Sequence, residues 1–185
     1  MTNMNSLDPL LAIYKEKSWR RYGLSKVTQL EHALQGALLA EQEGCPAHLV
    51  VATLLHDVGH MIHDLGESPA AEGIDDHHQR LGADYLAQWF GPEVTTPIRL
   101  HVAAKRYLCH GVVGYQDSLS DDSIRSLRLQ GGPMDAEEAA RFSNTPCCED
   151  AVKLRRYDDR AKVEGLQTPA FEYFLPYLKL CAVQR

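Results

Sequence analysis

Apolar positions recur three and four residues apart along most of this chain, and no convincing alternation of Val, Ile, Thr and aromatics at a period of two is present. The pattern predicts an all-α protein. A first amphipathic helix is expected from Leu7 to about Arg20, started by Asp8-Pro9 and broken by Tyr22-Gly23. Ser25 or Thr28 can cap a second helix that runs to Glu43 and stops at Gly44. Its apolar face takes Leu30, Ala33, Leu34, Ala37 and Leu38, and also His32. Pro46 opens a third helix, expected to continue unbroken to about Asp64. Leu65 to Asp76 reads as a polar loop with Gly and Pro, of the kind that often covers a site. A fourth helix is expected over His77–Phe90 and a fifth over Pro92–Cys109. Shorter helices follow over Asp117–Leu129 and Asp135–Phe142, separated by the break Gly131-Gly132-Pro133. A long helix from Cys147 to about Lys162 and an aromatic-faced one over Pro169–Cys181 complete the chain. No repeat, low-complexity tract or linker interrupts the pattern, so residues 1–185 read as one domain.

The 185 residues suit a full-sized core, and 44% apolar with 24% charged residues is ordinary for a globular protein. A net charge of −6 argues against a nucleic-acid binder, which needs a basic face, yet leaves room for a local cation cluster that takes a small anion. No apolar run approaches a membrane span, and the first residues lack a basic start followed by an apolar stretch. The five cysteines, Cys45, Cys109, Cys147, Cys148 and Cys181, are an odd number without Cys-x-x-Cys, and read as reduced thiols of a cytoplasmic protein. The composition does not indicate an oligomeric state.

The candidate chemistry gathers around ATLLHDVGHMIHD, residues 52–64. Adjacent His56 and Asp57 lie in an apolar helical context with His60 one turn later, where residues four apart share a face. Burying imidazole and carboxylate is costly without strong partners. A metal ion would satisfy both; a plain His–Asp hydrogen bond is the simpler alternative. Other helices offer His32, His78, His101 and Asp158, a donor set suited to iron, manganese or zinc. Six ligands exceed one open catalytic site but fit two metals if Asp57 bridges. Singly, each has a bland reading. His32 on an apolar face suits a satisfied core histidine. The stripe through Gly82 and Tyr85 favours His78 over His77, and that of Leu154, Arg155 and Ala161 favours Asp158 over Asp159. His48, His63 and His110 fall near helix ends or loops and read as surface residues. A second regularity accompanies the set. His60 follows His56 by four, Lys105 follows His101 by four, and Arg155 precedes Asp158 by three. Alone, Lys105 and Arg155 read as solvated charges; together the three groups would make an anion pocket beside the metals.

The order His, His-Asp, His, His, Asp resembles the HD-domain superfamily in its diiron oxygenase form. The segments QLEHALQGALLAE, TLLHDVGH, LGADYL, HVAAKRYL and QGGPMD resemble the organophosphonate-degrading HD-domain oxygenases, and the likeness runs from about Tyr22 to Pro176. It implies a single HD-domain helical bundle and a mixed-valent Fe(II)/Fe(III) pair with dioxygen as co-substrate. One iron would be held by His32, His56, Asp57 and Asp158, and the other by Asp57, His78 and His101. It further implies that His60, Lys105 and Arg155, joined by Ser123, face a phosphonate. Tyr22 would coordinate the second iron until substrate displaces it. Asp57, Tyr22 and His60 are thereby the expected catalytic residues.

One departure bears on the substrate. Family members that act on an amino-substituted phosphonate carry Tyr-x-x-Glu, whose carboxylate helps bind the ammonium; this chain has Tyr22-Gly23-Leu24-Ser25. A primary ammonium needs acceptors for three N–H donors, whereas a trimethylammonium has none to donate. The expected reaction is therefore cleavage of (1R)-1-hydroxy-2-(trimethylammonio)ethylphosphonate to glycine betaine and phosphate. The alternatives are 2-amino-1-hydroxyethylphosphonate to glycine and phosphate, with an acidic residue of the 67–76 loop replacing the glutamate, or a two-metal HD phosphohydrolase. A third is a ligand-binding domain without catalysis.

Overall fold

The computed structural model describes residues 6–23, 25–66 and 69–183. Among them the chain forms α1 (Asp8–Lys17), α2 (Gln29–Gln42), α3 (Ala47–Leu55), α4 (Val58–Ile62), α5 (His78–Leu86), α6 (Pro92–Gly111), α7 (Asp121–Leu129), α8 (Ala136–Ser143), α9 (Cys148–Arg160) and α10 (Leu175–Cys181). No strand occurs among the described residues, so the all-α expectation holds. α3 is apolar on every side and lies at the centre, with every residue from Leu49 to Leu55 buried. α2, α6 and α10 pack around it, and α6, the longest helix, runs against α5 on one side and α9 on the other. A smaller cluster of Ala104, Met134, Ala139, Phe142 and Ala151 joins α6 to α8 and α9. No helix among the described residues is long and apolar enough to cross a membrane.

Most predicted starts are realised by local chemistry. Thr28 caps α2 through a reciprocal pair with Glu31, and Asp135 caps α8 in the same way with Glu138. The C-terminal segments are more divided than the periodicity suggests. Asp117–Leu129 resolves into a 3-10 turn, Gln116–Ser118, followed by α7, and Pro169–Cys181 into a turn, Phe171–Phe174, followed by α10. α5 ends at Leu86, short of the expected Phe90. Within the predicted loop after α4, Pro69–Glu72 forms one 3-10 turn that packs on α7; Glu67, with its neighbour Ser68, falls outside the described residues.

The main correction concerns the third helix. It does not run on to Asp64. It stops at Leu55, Asp57 takes φ −102 and ψ 12, and α4 begins at Val58. Such a break strands backbone carbonyls at the end of α3. Two side chains take them up: the Tyr14 hydroxyl donates to Leu54 O at 2.9 Å, and His56 Nδ1–H to Thr53 O at 2.8 Å. The pair expected within a helix thus sits at a joint, and His56 helps to hold that joint.

The short α4 crosses α5 at very close range. A Cβ on Gly59 would stand 2.0 Å from His78 O, and one on Gly82 would stand 3.1 Å from Gly59 N. Backbone meets backbone here, and this contact sets His78 beside Asp57. Gly59→Ala gains about 1 kcal/mol of helix propensity. The forced displacement, about 1–3 kcal/mol for overpacking of this kind, outweighs it. We expect a lower urea midpoint together with weaker metal binding; an unchanged or raised midpoint would show that the crossing yields easily.

Candidate metal centre and anion pocket

Five elements deliver the six expected ligands to one place. His32 comes from α2, His56 and Asp57 from the joint, His78 from the first residue of α5, His101 from the middle of α6 and Asp158 from α9. All six are buried. Asp57 lies between two imidazole pairs. Its Oδ2 is 3.3 Å from His56 Nε2 and 3.5 Å from His32 Nε2. Its Oδ1 is 3.6 Å from His78 Nε2 and 3.8 Å from His101 Nε2. Asp158 Oδ1 closes the first group, 3.4 Å from His32 Nε2. His56 and His60, expected on a shared face, instead address different oxygens of Asp57, with His60 Nε2 3.9 Å from Oδ1.

The hydrogen bonds around the rings test whether cations fit. Each of the four imidazoles gives its Nδ1–H to an oxygen: His32 to Ala161 O at 2.8 Å, His56 to Thr53 O, His101 to Ile98 O at 2.7 Å and His78 to Asp76 Oδ1 at 2.8 Å. In the neutral ring the lone pair is then on Nε2. Yet His32 Nε2 faces His56 Nε2 at 3.2 Å, and His78 Nε2 faces His101 Nε2 at 3.1 Å. Lone pairs brought so close repel each other. Asp57 Oδ2 is buried there with no hydrogen-bond partner among the described residues, a costly state for a carboxylate. Positive charge at each imidazole pair, shared through Asp57, resolves both problems. The donor set therefore fits metal ions, two of them by geometry, and the three-oxygen, four-nitrogen chemistry suits the middle of the first transition row.

The titration balance agrees with this arrangement at the carboxylates and at the Oδ1-side rings, whereas at His56 burial is overcome by the attraction of Asp57 and Asp158, which holds the imidazole above its ordinary value. Burial alone pushes the Asp57 carboxyl up, but His56 and His32 beside it hold it well below the usual carboxylate range. Asp158 is likewise held down against burial, by Arg155 and Lys162. Burial and the neighbouring imidazoles push His101 well below its ordinary value, and burial with His60 pushes His78 down. Both rings on the Oδ1 side thus favour the neutral form that binds metal.

A cavity of about 350 Å³ opens beside the centre, within the range of small-molecule sites. His60, Lys105, Ser123 and Arg155 line it together with Asp57, His78, His101 and Asp158. Reading Lys105 and Arg155 as solvated charges is ruled out, because they are only 2% and 4% exposed. Lys105 Nζ donates to Ser126 Oγ at 2.7 Å, and burial next to Arg155 lowers its ammonium to about 7, so an anion beside it would restore the charge. Arg155 donates to Asp158 Oδ2 at 2.6 Å, to Asp159 Oδ1, to the Tyr115 hydroxyl at 3.2 Å and to Ser123 Oγ at 3.3 Å. Its fork is rigidly placed. Tyr22 stacks on His32 with ring centroids 3.8 Å apart and donates to Asp158 Oδ1 at 3.2 Å. Its hydroxyl is engaged on the His32–Asp158 side of Asp57, away from the His78–His101 pair.

Three groups escaped the sequence reading. His63, read as a surface residue, has a side chain only 8% exposed and donates from Nε2 to Asp76 Oδ2 at 2.9 Å. Its loop position gave no hint, because the partner lies 13 residues on. Asp76 sat in a loop read as a cover for the site and a source of an acidic group for the substrate ammonium. Its carboxylate is instead bonded to His60, His63 and His78, and its place two residues before His78 was a usable signal. Lys162 Nζ stands 3.3 Å from Asp158 Oδ1 and 5.4 Å over the Tyr22 ring; its spacing of four from Asp158 was the same signal that marked Lys105. By contrast His77 is exposed and His110 lies on the surface as expected, while His48 is half-buried against Asp150.

The HD domain family matches residues 29–112. A [1-hydroxy-2-(trimethylamino)ethyl]phosphonate dioxygenase (glycine-betaine-forming) of Leisingera caerulea is 39% identical over 175 residues, covering 95% of this chain and 89% of that protein. A hydroxymethylphosphonate dioxygenase of Gimesia maris is 46% identical over 158 residues, 84% of this chain and 78% of that protein. An uncharacterised protein of Acanthamoeba polyphaga mimivirus is 30% identical over 174 residues, 92% and 79% of the two chains.

Proposed function

This chain belongs to the HD-domain phosphonate dioxygenases, and from that premise we propose that it cleaves the carbon–phosphorus bond of 1-hydroxy-2-(trimethylammonio)ethylphosphonate with dioxygen, giving glycine betaine and phosphate. The observation that carries the reading is the pair of imidazole couples on the two oxygens of Asp57, opening onto a cavity lined by Lys105 and Arg155. The reaction balances without another reductant. The hydroxyl-bearing carbon loses its hydrogen and its bond to phosphorus, dioxygen takes up the electrons released, and one of its atoms goes to each product.

We assign His32, His56, Asp57 and Asp158 to one iron and Asp57, His78 and His101 to the other, as a mixed-valent Fe(II)/Fe(III) pair. Bound iron supplies redox capacity toward dioxygen and Lewis acidity toward the substrate oxygens. The protein's own part is positioning and charge. Lys105, Ser123 and the one guanidinium N–H of Arg155 not already engaged bind the phosphonate oxygens, with the rest of the fork held by Asp158, Asp159, Tyr115 and Ser123. His60, with Nδ1 bonded to Asp76, offers Nε2 to exchange a proton with the bound substrate. Tyr22, stacked on His32, yields its bond to Asp158 when the substrate enters.

The rest of the cavity wall bears on the substrate's other end. Pro69, Ala70, Ala71 and Ile74 offer apolar surface, and Asp75, Asp121 and Asp122 add diffuse negative charge. Both suit a trimethylammonium that donates no hydrogen bonds. A second reading, hydroxymethylphosphonate, is favoured by a different observation. Tyr22 is the single Tyr, Phe or Trp lining the cavity among the described residues, whereas quaternary ammonium sites are usually aromatic cages.

Steady-state oxygen uptake and phosphate release, measured on the trimethylammonio, amino and unsubstituted hydroxymethyl phosphonates, separate these cases. The expected result is strict dependence on dioxygen, with kcat/KM for the trimethylammonio compound at least about tenfold above the others, equivalent to about 1.4 kcal/mol. Phosphate release without dioxygen would assign a hydrolase. A preference for the unsubstituted compound would move the substrate to the second reading, and a preference for the primary amine would exclude both.

A further inference from the structure

Asp76 is buried, at 9% exposure, and closes the segment that carries Pro69–Glu72, Ile74 and Asp75. Its two oxygens gather four donors. Oδ1 accepts the His78 backbone N–H at 3.2 Å and the His78 ring Nδ1–H at 2.8 Å. Oδ2 accepts His60 Nδ1–H at 2.6 Å and His63 Nε2–H at 2.9 Å. One carboxylate thereby fixes three imidazoles. The His60 ring lies on the His78 ring, centroids 3.9 Å apart and 23° from parallel, so the two are held as a stack. The bond to His78 Nδ1 decides which nitrogen is free: Nε2 is left bare and turned to Asp57 Oδ1, 3.6 Å away. A carboxylate on the far nitrogen also makes a ligating imidazole a better electron donor.

We propose that Asp76 is a positioning residue that fixes the tautomer and direction of His78 for the metal shared with His101. The same carboxylate anchors the 69–76 segment of the cavity wall to that centre. The substrate wall and the metal ligand are tied through one side chain, because the segment's turn packs on α7, which carries Ser123 and Ser126. Asparagine replaces it poorly. With its carbonyl oxygen on His78, its NH2 would face His60 Nδ1 and His63 Nε2, which accept only after switching tautomer. In His63 that switch would set an N–H against the Leu65 N–H that Nδ1 now accepts at 3.2 Å. Turned the other way, the NH2 would face the His78 backbone N–H.

The proposal rests on the two-ion reading above, so the experiment counts ions without turnover. Anaerobic Mn(II) titration with equilibrium dialysis is compared for wild type, Asp76→Asn and Asp76→Glu, with far-ultraviolet circular dichroism of each. Wild type is expected to hold two ions. Asp76→Asn should keep the first and bind the second about ten- to a hundredfold more weakly, the usual effect of losing such a partner. Asp76→Glu, which restores the charge and two acceptor oxygens, should recover most of the second affinity at unchanged helicity. His63→Leu, which removes a donor not facing the metals, should leave it near wild type. Two equal ions in Asp76→Asn, or an Asp76→Glu as weak as Asp76→Asn, would overturn the positioning role alone. Fewer than two ions in wild type would overturn the two-ion reading, and the proposal with it.

Discussion

Asp57→Asn is expected to lower kcat by about three orders of magnitude, roughly 4 kcal/mol of barrier, and to reduce metal content from two ions to one or none. The expectation follows from where the two oxygens point. Each faces its own imidazole pair, at 3.3–3.5 Å on one side and 3.6–3.8 Å on the other. The amide keeps one acceptor and puts a donor against the other pair, and it removes the negative charge that opposes two cations in a buried site. Elemental analysis and single-turnover assays on the same preparation provide the check. A variant that retains two ions and more than a tenth of the activity would mean that Asp57 does not bridge.

Arg155→Met should produce the largest change in stability. Removing one partner of a buried ion pair costs about 3–5 kcal/mol, because the other charge stays buried and unpaired. Asp158 is the partner at risk, with a side chain 2% exposed, whereas Asp159 is 21% exposed and can turn to water. Lys162 still stands 3.3 Å from Asp158, so the loss should sit near the low end, about 3 kcal/mol. For a chain of this size that corresponds to a fall in Tm of roughly 6–12 °C, read on chelated protein so that metal does not mask it. Arg155→Lys should recover part of the stability but not the phosphonate affinity, because a three-donor ammonium cannot hold Asp158, Asp159 and Ser123 and still present an N–H to the cavity. A Met variant with an unchanged Tm would show that Asp158 is already satisfied by Lys162 and His32.

The helices were legible because their apolar period is strong and their caps are local, as with Thr28–Glu31 and Asp135–Glu138. The convergence of His32, His78, His101 and Asp158 was legible for another reason: imidazoles and carboxylates on apolar faces demand partners, and each sat on an inward stripe. The joint after Leu55 was not, because nothing in ATLLHDVGH stops a helix by propensity. It is stabilised by Tyr14, about forty residues upstream, and such a tertiary bond leaves no periodic trace. The role of Asp76 was hidden for a similar reason, since loops are read for turn residues rather than for acceptors. The Gly59–Gly82 contact also escaped notice, although two glycines inside helices are a sign of close backbone approach.

The joint has a consequence for anyone who would transplant this centre into a new scaffold. Copying His56, Asp57 and His60 onto a straight helix would align both rings on one side and leave one carboxylate oxygen facing nothing. The unit to graft is the backbone of residues 53–60 with its two carbonyl plugs, and the side chains will follow.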